Sequence, residues 1–180
     1  LNRFTSGKEI PCSLYIKIRA NHFVKLANKG DPIPKKQLLK YKKKNLQFLH
    51  VLKDEFSEFV GFNMKVLSAL EKESDVKEEK VNNFINYTNA ILMENTFLNE
   101  LGEDEIDEIL EYSSLTFSIL KKQKSLFKLL QNLAENHEPV YAHSLSTAVL
   151  SYLIAKKVGW TTEPVLFKIF LASLLHDIGK

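Results

Sequence analysis

The stretch LLHDIGK at residues 174–180 decides our interpretation of this chain, because it places a histidine beside an aspartate at the end of an apolar run. The run, VLFKIFLASLL at residues 165–175, contains a single charged side chain. It is too apolar for an ordinary surface helix, and too short to cross a membrane, which takes about 20 residues. We therefore predict a buried core helix that delivers His176 and Asp177 at its end.

His176 and Asp177 have the chemistry of metal ligands. An unpaired carboxylate in an apolar setting is costly, and a bound cation offsets that cost. An imidazole nitrogen next to a carboxylate oxygen suits iron, manganese, zinc or nickel better than calcium. The alternative is an ordinary helix terminus, in which Asp177 hydrogen-bonds the turn and Gly179 ends the helix.

A second histidine, His143, lies on the helix predicted before this one, which runs to about Lys157. Leu150 and Ile154 follow His143 at helical spacing, so the three side chains share one face. We expect that face to look inward. A lone histidine on such a face is more often a core residue than a ligand, so a second histidine nearby is needed for the metal interpretation.

The short connection between the two predicted helices brings a second histidine close to His143. Residues 160–164, WTTEP, are few enough to make the helices antiparallel neighbours. Antiparallel packing brings the start of the first helix to the end of the second. The sequence therefore predicts that His143 lies beside His176 and Asp177.

These residues resemble the HD superfamily of metal-dependent phosphohydrolases and, within it, the HD-GYP branch. The specific motifs are YAHS at residues 141–144 and LLHDIGK at residues 174–180, and the pattern extends over about residues 80–180. The resemblance implies an all-helical domain that binds two or three metals, usually iron or manganese. It also implies a hydrolase, namely a phosphodiesterase that cleaves the messenger cyclic di-GMP in bacterial signalling.

The resemblance assigns roles to individual residues. His143, His176 and Asp177 would be metal ligands, with Asp177 also catalytic because it bridges two ions. Lys180 would be a catalytic and substrate-binding residue that holds a phosphate oxygen; its ordinary alternative is a helix-end cation favoured by the dipole. A third metal would need an acidic ligand one turn before the first histidine, where this chain has Pro139. We therefore expect a binuclear iron or manganese centre, whose remaining ligands and Gly-Tyr-Pro loop would follow Lys180.

Two other functions remain open at this point. One is a catalytically inactive signalling scaffold that keeps the HD fold, and the other is an HD phosphohydrolase that acts on a different nucleotide. The expected partners are a cyclic dinucleotide substrate, signalling proteins and a second copy of the chain in a homodimer.

Charge divides the chain into two parts. Residues 1–60 carry 13 basic and 5 acidic side chains, a net charge of +8, whereas residues 61–180 carry 12 and 17, a net charge of −5. Such an asymmetry indicates two modules with different surfaces. We predict a mostly α fold in three parts: an α/β regulatory module at 1–60, a linker or connecting helix at 61–80, and the first part of a helical HD domain at 81–180.

The first module shows short alternating segments. Residues 12–18, 23–26 and 47–51 predict three strands, and residues 34–44 predict a helix. This module also resembles one that often precedes HD-GYP domains. The resemblance implies regulation without chemistry.

The cysteine count, the apolar stretches and the lysine cluster indicate the compartment and the class of partner. The single cysteine, Cys12, excludes an internal disulfide, and no apolar stretch reaches the length of a membrane span, so we expect a cytoplasmic protein. The lysines within 35–44 favour phosphate-rich partners, but a charged helix face is usually solvated and Tyr41 is the one aromatic side chain there. We therefore do not expect nucleic-acid binding. His22 and His50 have no ligand partners at suitable spacing.

Overall fold

Seven α-helices follow a two-stranded hairpin in the computed structural model, which describes residues 9–20, 22–32, 35–43, 48–73, 77–98, 102–123, 125–135 and 139–178. The predicted mostly α fold is confirmed. The chain divides into two compact units, Leu1–Phe62 and Asn63–Lys180. No helix in these described ranges has the length and apolar character of a membrane span. The elements are β1 Leu14–Arg19, β2 His22–Ala27, α1 Lys35–Lys42, α2 Phe56–Lys72, α3 Glu78–Leu98, α4 Glu103–Lys122, α5 Leu126–Glu135, α6 Pro139–Lys157 and α7 Glu163–Leu175.

The first unit is built on the antiparallel pair β1 and β2. Leu14 and Ile16 are buried on one face of β1, as the alternation predicts. The predicted third strand is wrong for the described residues 48–51, which form only an isolated bridge. In that bridge the backbone N–H groups of Tyr15 and His50 each donate to the other residue's carbonyl at 2.8 Å. One paired residue does not extend into a ladder. Residue 47 of the predicted strand lies outside the described residues.

Cys12 lies at the start of this hairpin and is fully buried. Burial raises the pKa of its thiol to about 12, and the nearby negative charges of Glu55 and Glu58 act in the same direction. The next residue, Ser13, donates hydrogen bonds from its backbone N–H and its hydroxyl to the Glu55 carboxylate. The thiol is therefore protonated and shielded in the folded unit.

We expect this thiol to react with an aromatic disulfide reagent at least about 100-fold more slowly in the native chain than in denaturant, since the thiolate is the reactive form. Because the folded pKa exceeds the unfolded value of about 8.5, the thiol's contribution to stability is complete below pH 8.5. It is lost as the pH rises toward 12. The difference in unfolding free energy between the wild type and Cys12→Ala should therefore narrow above pH 8.5 in denaturant titrations. Equal reaction rates in the native and denatured chains would contradict this prediction.

The second unit packs its helices around aromatic side chains. The Phe117 ring on α4 is buried, and its centroid lies 5.4 Å from that of Tyr152, 5.5 Å from Phe167 and 5.9 Å from Phe170. The pairs with Tyr152 and Phe167 are edge-to-face, an arrangement that is favourable beyond the area it buries, and the pair with Phe170 is tilted. This cluster connects α4 to both α6 and α7.

The α6–α7 hairpin is closed by a tight turn at Gly159, which has φ of +90°. The backbone N–H of Trp160 donates to the Ala155 carbonyl at 3.0 Å, and that of Gly159 donates to the Lys156 carbonyl at 3.2 Å. This is the Schellman arrangement that glycine favours at a helix end. Thr162 then precedes the first turn of α7 as its N-cap. The predicted end of the first helix and the antiparallel pairing of the two helices are confirmed.

The predicted orientation of α6 is wrong. His143, Leu150 and Ile154 lie on the exposed side of the helix, with Leu150 46% and Ile154 62% exposed. Apolar and small hydroxyl side chains are spread round this helix without a distinct polar side, so its spacing fits more than one buried face. Packing against α3, α5 and α7 selects the other face. The apolar side chains of that buried face are Ala142, Leu145, Ala148, Val149, Tyr152 and Ala155, and Ser144 is buried beside them.

The predicted burial of α7 in the core is confirmed for only one side of the helix. Leu166, Phe170 and Leu174 are buried, whereas Val165 is 41% exposed. One stripe of α7 therefore packs into the second unit, and the opposite side faces solvent.

Candidate metal centre

The α6–α7 hairpin positions three side chains that can bind a metal. His143 lies in the second turn of α6, His176 caps the C-terminus of α7, and Asp177 follows in the next turn. Because the two helices are antiparallel, the beginning of α6 meets the end of α7. The predicted proximity of these three residues is confirmed by their distances.

Their donor atoms converge on a small volume. The Nε2 atoms of His143 and His176 are 3.3 Å apart. The Oδ1 atom of Asp177 lies 3.1 Å from Nε2 of His176, and its Oδ2 atom lies 3.7 Å from Nε2 of His143. One ligand atom from each residue lies within 4.8 Å of the others.

These separations fit a shared cation. A metal about 2.1 Å from each donor holds neighbouring donors about 3.0 Å apart in octahedral geometry and about 3.4 Å apart in tetrahedral geometry. The two histidine nitrogens, 3.3 Å apart, lie in this range, whereas the 3.1 and 3.7 Å distances involve different oxygens of Asp177. With one donor atom taken from each residue, the three donors lie within 4.8 Å of one another. Two imidazoles with one carboxylate suit iron, manganese, zinc and nickel. The residues present therefore fit the metal that the sequence predicts.

The protonation of His176 also favours a metal. Its Nδ1 atom lies 2.8 Å from the Ser173 carbonyl oxygen. A carbonyl can only accept, so Nδ1 carries the hydrogen and donates. In the neutral ring Nε2 then keeps its lone pair, and this atom faces His143 and Asp177. The backbone of α7 thus sets both the tautomer and the orientation of the ring.

The site lies at the protein surface. The His143 side chain is 55% exposed, that of His176 34% and that of Asp177 21%. The expectation of buried ligands is therefore wrong. Because Asp177 is partly exposed, the cost of burying a carboxylate is no argument for a bound cation at this site. The argument for a cation rests instead on the convergence of the donor atoms.

Among the described residues, one group of three potential metal donors is found, and it is formed by His143, His176 and Asp177. Lys180, which the sequence predicts to bind the substrate phosphate, lies outside the described residues, as does Gly179. Three protein donors serve one ion. A second ion of the predicted binuclear centre requires further donors in addition to these three.

A buried asparagine supports the first turns of α6, and the sequence analysis did not identify it. Asn89 on α3 is fully buried, and its Nδ2 atom donates to the Tyr141 carbonyl oxygen at 2.8 Å. Tyr141 is two residues before His143. Spacing alone could not have revealed this contact, because it joins residues 52 positions apart.

We expect Asn89→Leu to weaken manganese binding by roughly tenfold, as changes to residues that orient ligands do. The physical reason is that the α6 segment bearing His143 loses its tether to α3. Calorimetric titration with Mn²⁺ measures the effect. Asn82→Ala is the control. Asn82 is another buried asparagine of α3, but it accepts its hydrogen bond from Gln123, at 2.5 Å, and not from the segment that bears His143. Equal metal affinity in the two variants would contradict the positioning role.

Comparisons with known proteins agree with an HD-type fold. Residues 99–180 match the model of the HDOD domain family, which is related to HD domains. The solved structure of Bd1817, described as a HDG"Y"P protein from Bdellovibrio bacteriovorus, is similar to this chain with a TM-score of 0.60 and 18% sequence identity. The similarity covers 97% of this chain and 57% of that one, so this chain spans little more than half of its length. No curated protein sequence matches the chain. At this identity the likeness shows the fold alone.

Proposed function

We propose that this chain carries metal ligands of a metal-dependent phosphodiesterase of the HD-GYP type, which hydrolyses cyclic di-GMP in bacterial signalling. The observation that carries the proposal is the convergence of His143, His176 and Asp177, which place one donor atom each within 4.8 Å of the others. The HDOD match and the HD-type fold support it. The proposed cofactor is a binuclear iron or manganese centre.

Each ligand has a separate task in this proposal. When bound, the metal supplies a water of lowered pKa and polarises the phosphoryl oxygen. Asp177 would be the ligand shared between the two ions, because it has two carboxylate oxygens, Oδ1 at 3.1 Å from His176 and Oδ2 at 3.7 Å from His143. The Ser173 carbonyl keeps the Nε2 lone pair of His176 available. Lys180 offsets the negative charge that develops on the phosphoryl oxygens.

Hydrolysis of cyclic di-GMP is the direct test. The full-length protein, loaded anaerobically with ferrous iron or manganese, is incubated with the dinucleotide, and the products are separated by chromatography. We expect linear dinucleotide or GMP with the wild type and none with Asp177→Asn, while the control His22→Ala, on an exposed strand position, keeps full activity. Turnover by Asp177→Asn at the wild-type rate would overturn the assignment.

A scaffold without turnover is the second candidate, and one observation favours it. The family model that matches residues 99–180 is named for the HDOD domain, an HD-related domain, rather than for a phosphodiesterase. Metal binding without hydrolysis of cyclic di-GMP or of any nucleotide in a panel would support the scaffold. Hydrolysis of another nucleotide alone would identify a different HD phosphohydrolase.

We also propose that residues 1–60 regulate this domain through the connecting segment 61–80, leaving 81–180 to the HD-type domain. The buried free thiol of Cys12 suits a reducing compartment, so we place the protein in the cytoplasm. A homodimer and signalling partners remain part of this proposal.

A further inference from the structure

One face of the β1–β2 hairpin alternates aromatic rings with lysines. In the strand register Tyr15 pairs with Lys25, and Lys17 pairs with Phe23. The His50 ring stands edge-on to Phe23, with centroids 5.1 Å apart and an angle of 80°. We name these five side chains the hairpin face. They lie opposite the buried side chains of β1, because successive residues of a strand point to opposite sides.

The lysine ammonium groups of the hairpin face lie over its rings. The Nζ atom of Lys25 is 5.4 Å from the centroid of Tyr15, and that of Lys17 is 5.7 Å from the centroid of Phe23. Lys25 also donates to the Asn28 side chain at 3.2 Å. No carboxylate in the described ranges forms an ion pair with either lysine. Phe23 is 46% exposed, so both positive charge and aromatic surface are available to a ligand.

We propose that the hairpin face binds a single-stranded polynucleotide. Its flat bases stack on the rings of Tyr15 and Phe23, and its phosphates are held by Lys17 and Lys25. Stacking platforms combined with cations are how proteins bind single strands without sequence preference. The net charge of +8 on residues 1–60 attracts the polyanion to this unit.

The geometry favours a single strand over a duplex. Tyr15 and Phe23 are diagonal neighbours across the two strands, a relation that separates such residues by about 7 to 8 Å. Bases in a duplex are stacked about 3.4 Å apart along each strand, with their faces covered. An extended single strand, by contrast, can present successive base faces to both rings.

The hairpin face provides what the lysine-rich helix α1 lacks. The sequence argued against nucleic-acid binding because the lysines within 35–44 have few aromatic neighbours. The folded hairpin joins three rings and two lysines from segments that are separate in the sequence. This site is independent of the metal centre and of the proposed phosphodiesterase activity.

Fluorescence anisotropy with the full chain tests the proposal. The probes are labelled 12-mers of oligo-U and oligo-dT, which distinguish RNA from DNA, and a 12-base-pair DNA duplex. We expect salt-sensitive binding of at least one single strand, with the duplex weaker. Phe23→Leu, which keeps apolar bulk but removes the ring, should weaken single-strand binding roughly tenfold. Lys17→Ala should reduce the slope of log affinity against log salt by about 0.7.

Matched controls lie on α5, where Phe127 and Lys128 are exposed. Phe127→Leu and Lys128→Ala should leave single-strand affinity unchanged, and circular dichroism checks that every variant is folded. Equal affinity of Phe23→Leu and the wild type would overturn the proposal, since charge alone would then account for binding. An absence of single-strand binding, or a preference for the duplex or for anionic phospholipid vesicles, would overturn it as well.

Discussion

Replacing His143 with alanine is expected to abolish metal binding at the α6–α7 hairpin, with a loss of at least about 100-fold in Mn²⁺ affinity. The reason is that this change leaves two donors, His176 and Asp177, which are adjacent in sequence and come from one helix end. His143 is the only one of the three that comes from α6. Calorimetric titration and elemental analysis of the dialysed chain give the affinity and the number of bound ions.

His22→Ala is the control for this prediction, because His22 is an exposed histidine on β2 with no role in the cluster. It should bind manganese as the wild type does. Bound metal should also raise the unfolding free energy of the wild type by mass action, but not that of His143→Ala. Wild-type affinity in His143→Ala would refute the metal centre itself, whatever the hydrolysis assay shows.

Phe117→Ala is expected to destabilise the second unit by about 3 to 5 kcal/mol, the range for truncating a buried aromatic side chain. Phe117 is 3% exposed and contacts Tyr152 on α6 and two phenylalanines on α7. Its loss leaves a cavity where α4 meets the hairpin that bears the metal ligands. Urea denaturation followed by the fluorescence of Trp160, the single tryptophan, reports on this unit.

Phe127→Ala is the comparison for this variant, since Phe127 is 66% exposed on α5. An exposed substitution of this kind should change stability by no more than about 0.5 kcal/mol. If Phe117→Ala and Phe127→Ala were equally stable, the aromatic cluster would not be what holds α4 to the hairpin. Phe117→Leu should lie between them, because it keeps much of the buried volume.

Several features of the structure follow from local signals in the sequence. Gly159 marks the end of α6 and Pro164 marks the first turn of α7. The connection of five residues, 160–164, is short enough to make the two helices antiparallel. The meeting of His143 with the His176–Asp177 pair follows from that hairpin, so it too was predictable. The mostly α fold rests on the same kind of evidence.

Other features depend on contacts between distant residues. The third predicted strand is present only as the bridge at His50. Alternation of apolar and polar residues shows that a segment could fit a sheet, but it does not show whether a partner strand runs beside it. The hydrogen bond from Asn89 to Tyr141 leaves no local pattern in the sequence. The same holds for the hairpin face, whose His50 joins β1 and β2 from a separate segment.

The sequence by itself determined where the helices of the hairpin begin and end and which three side chains meet at its open end. Only the tertiary structure decided which side of α6 is buried, and hence that His143 is exposed to solvent. The physical reason is that caps, turns and short connections act over a few residues, whereas a helix without a distinct polar side can pack on several faces. The neighbouring helices α3, α5 and α7 make that choice.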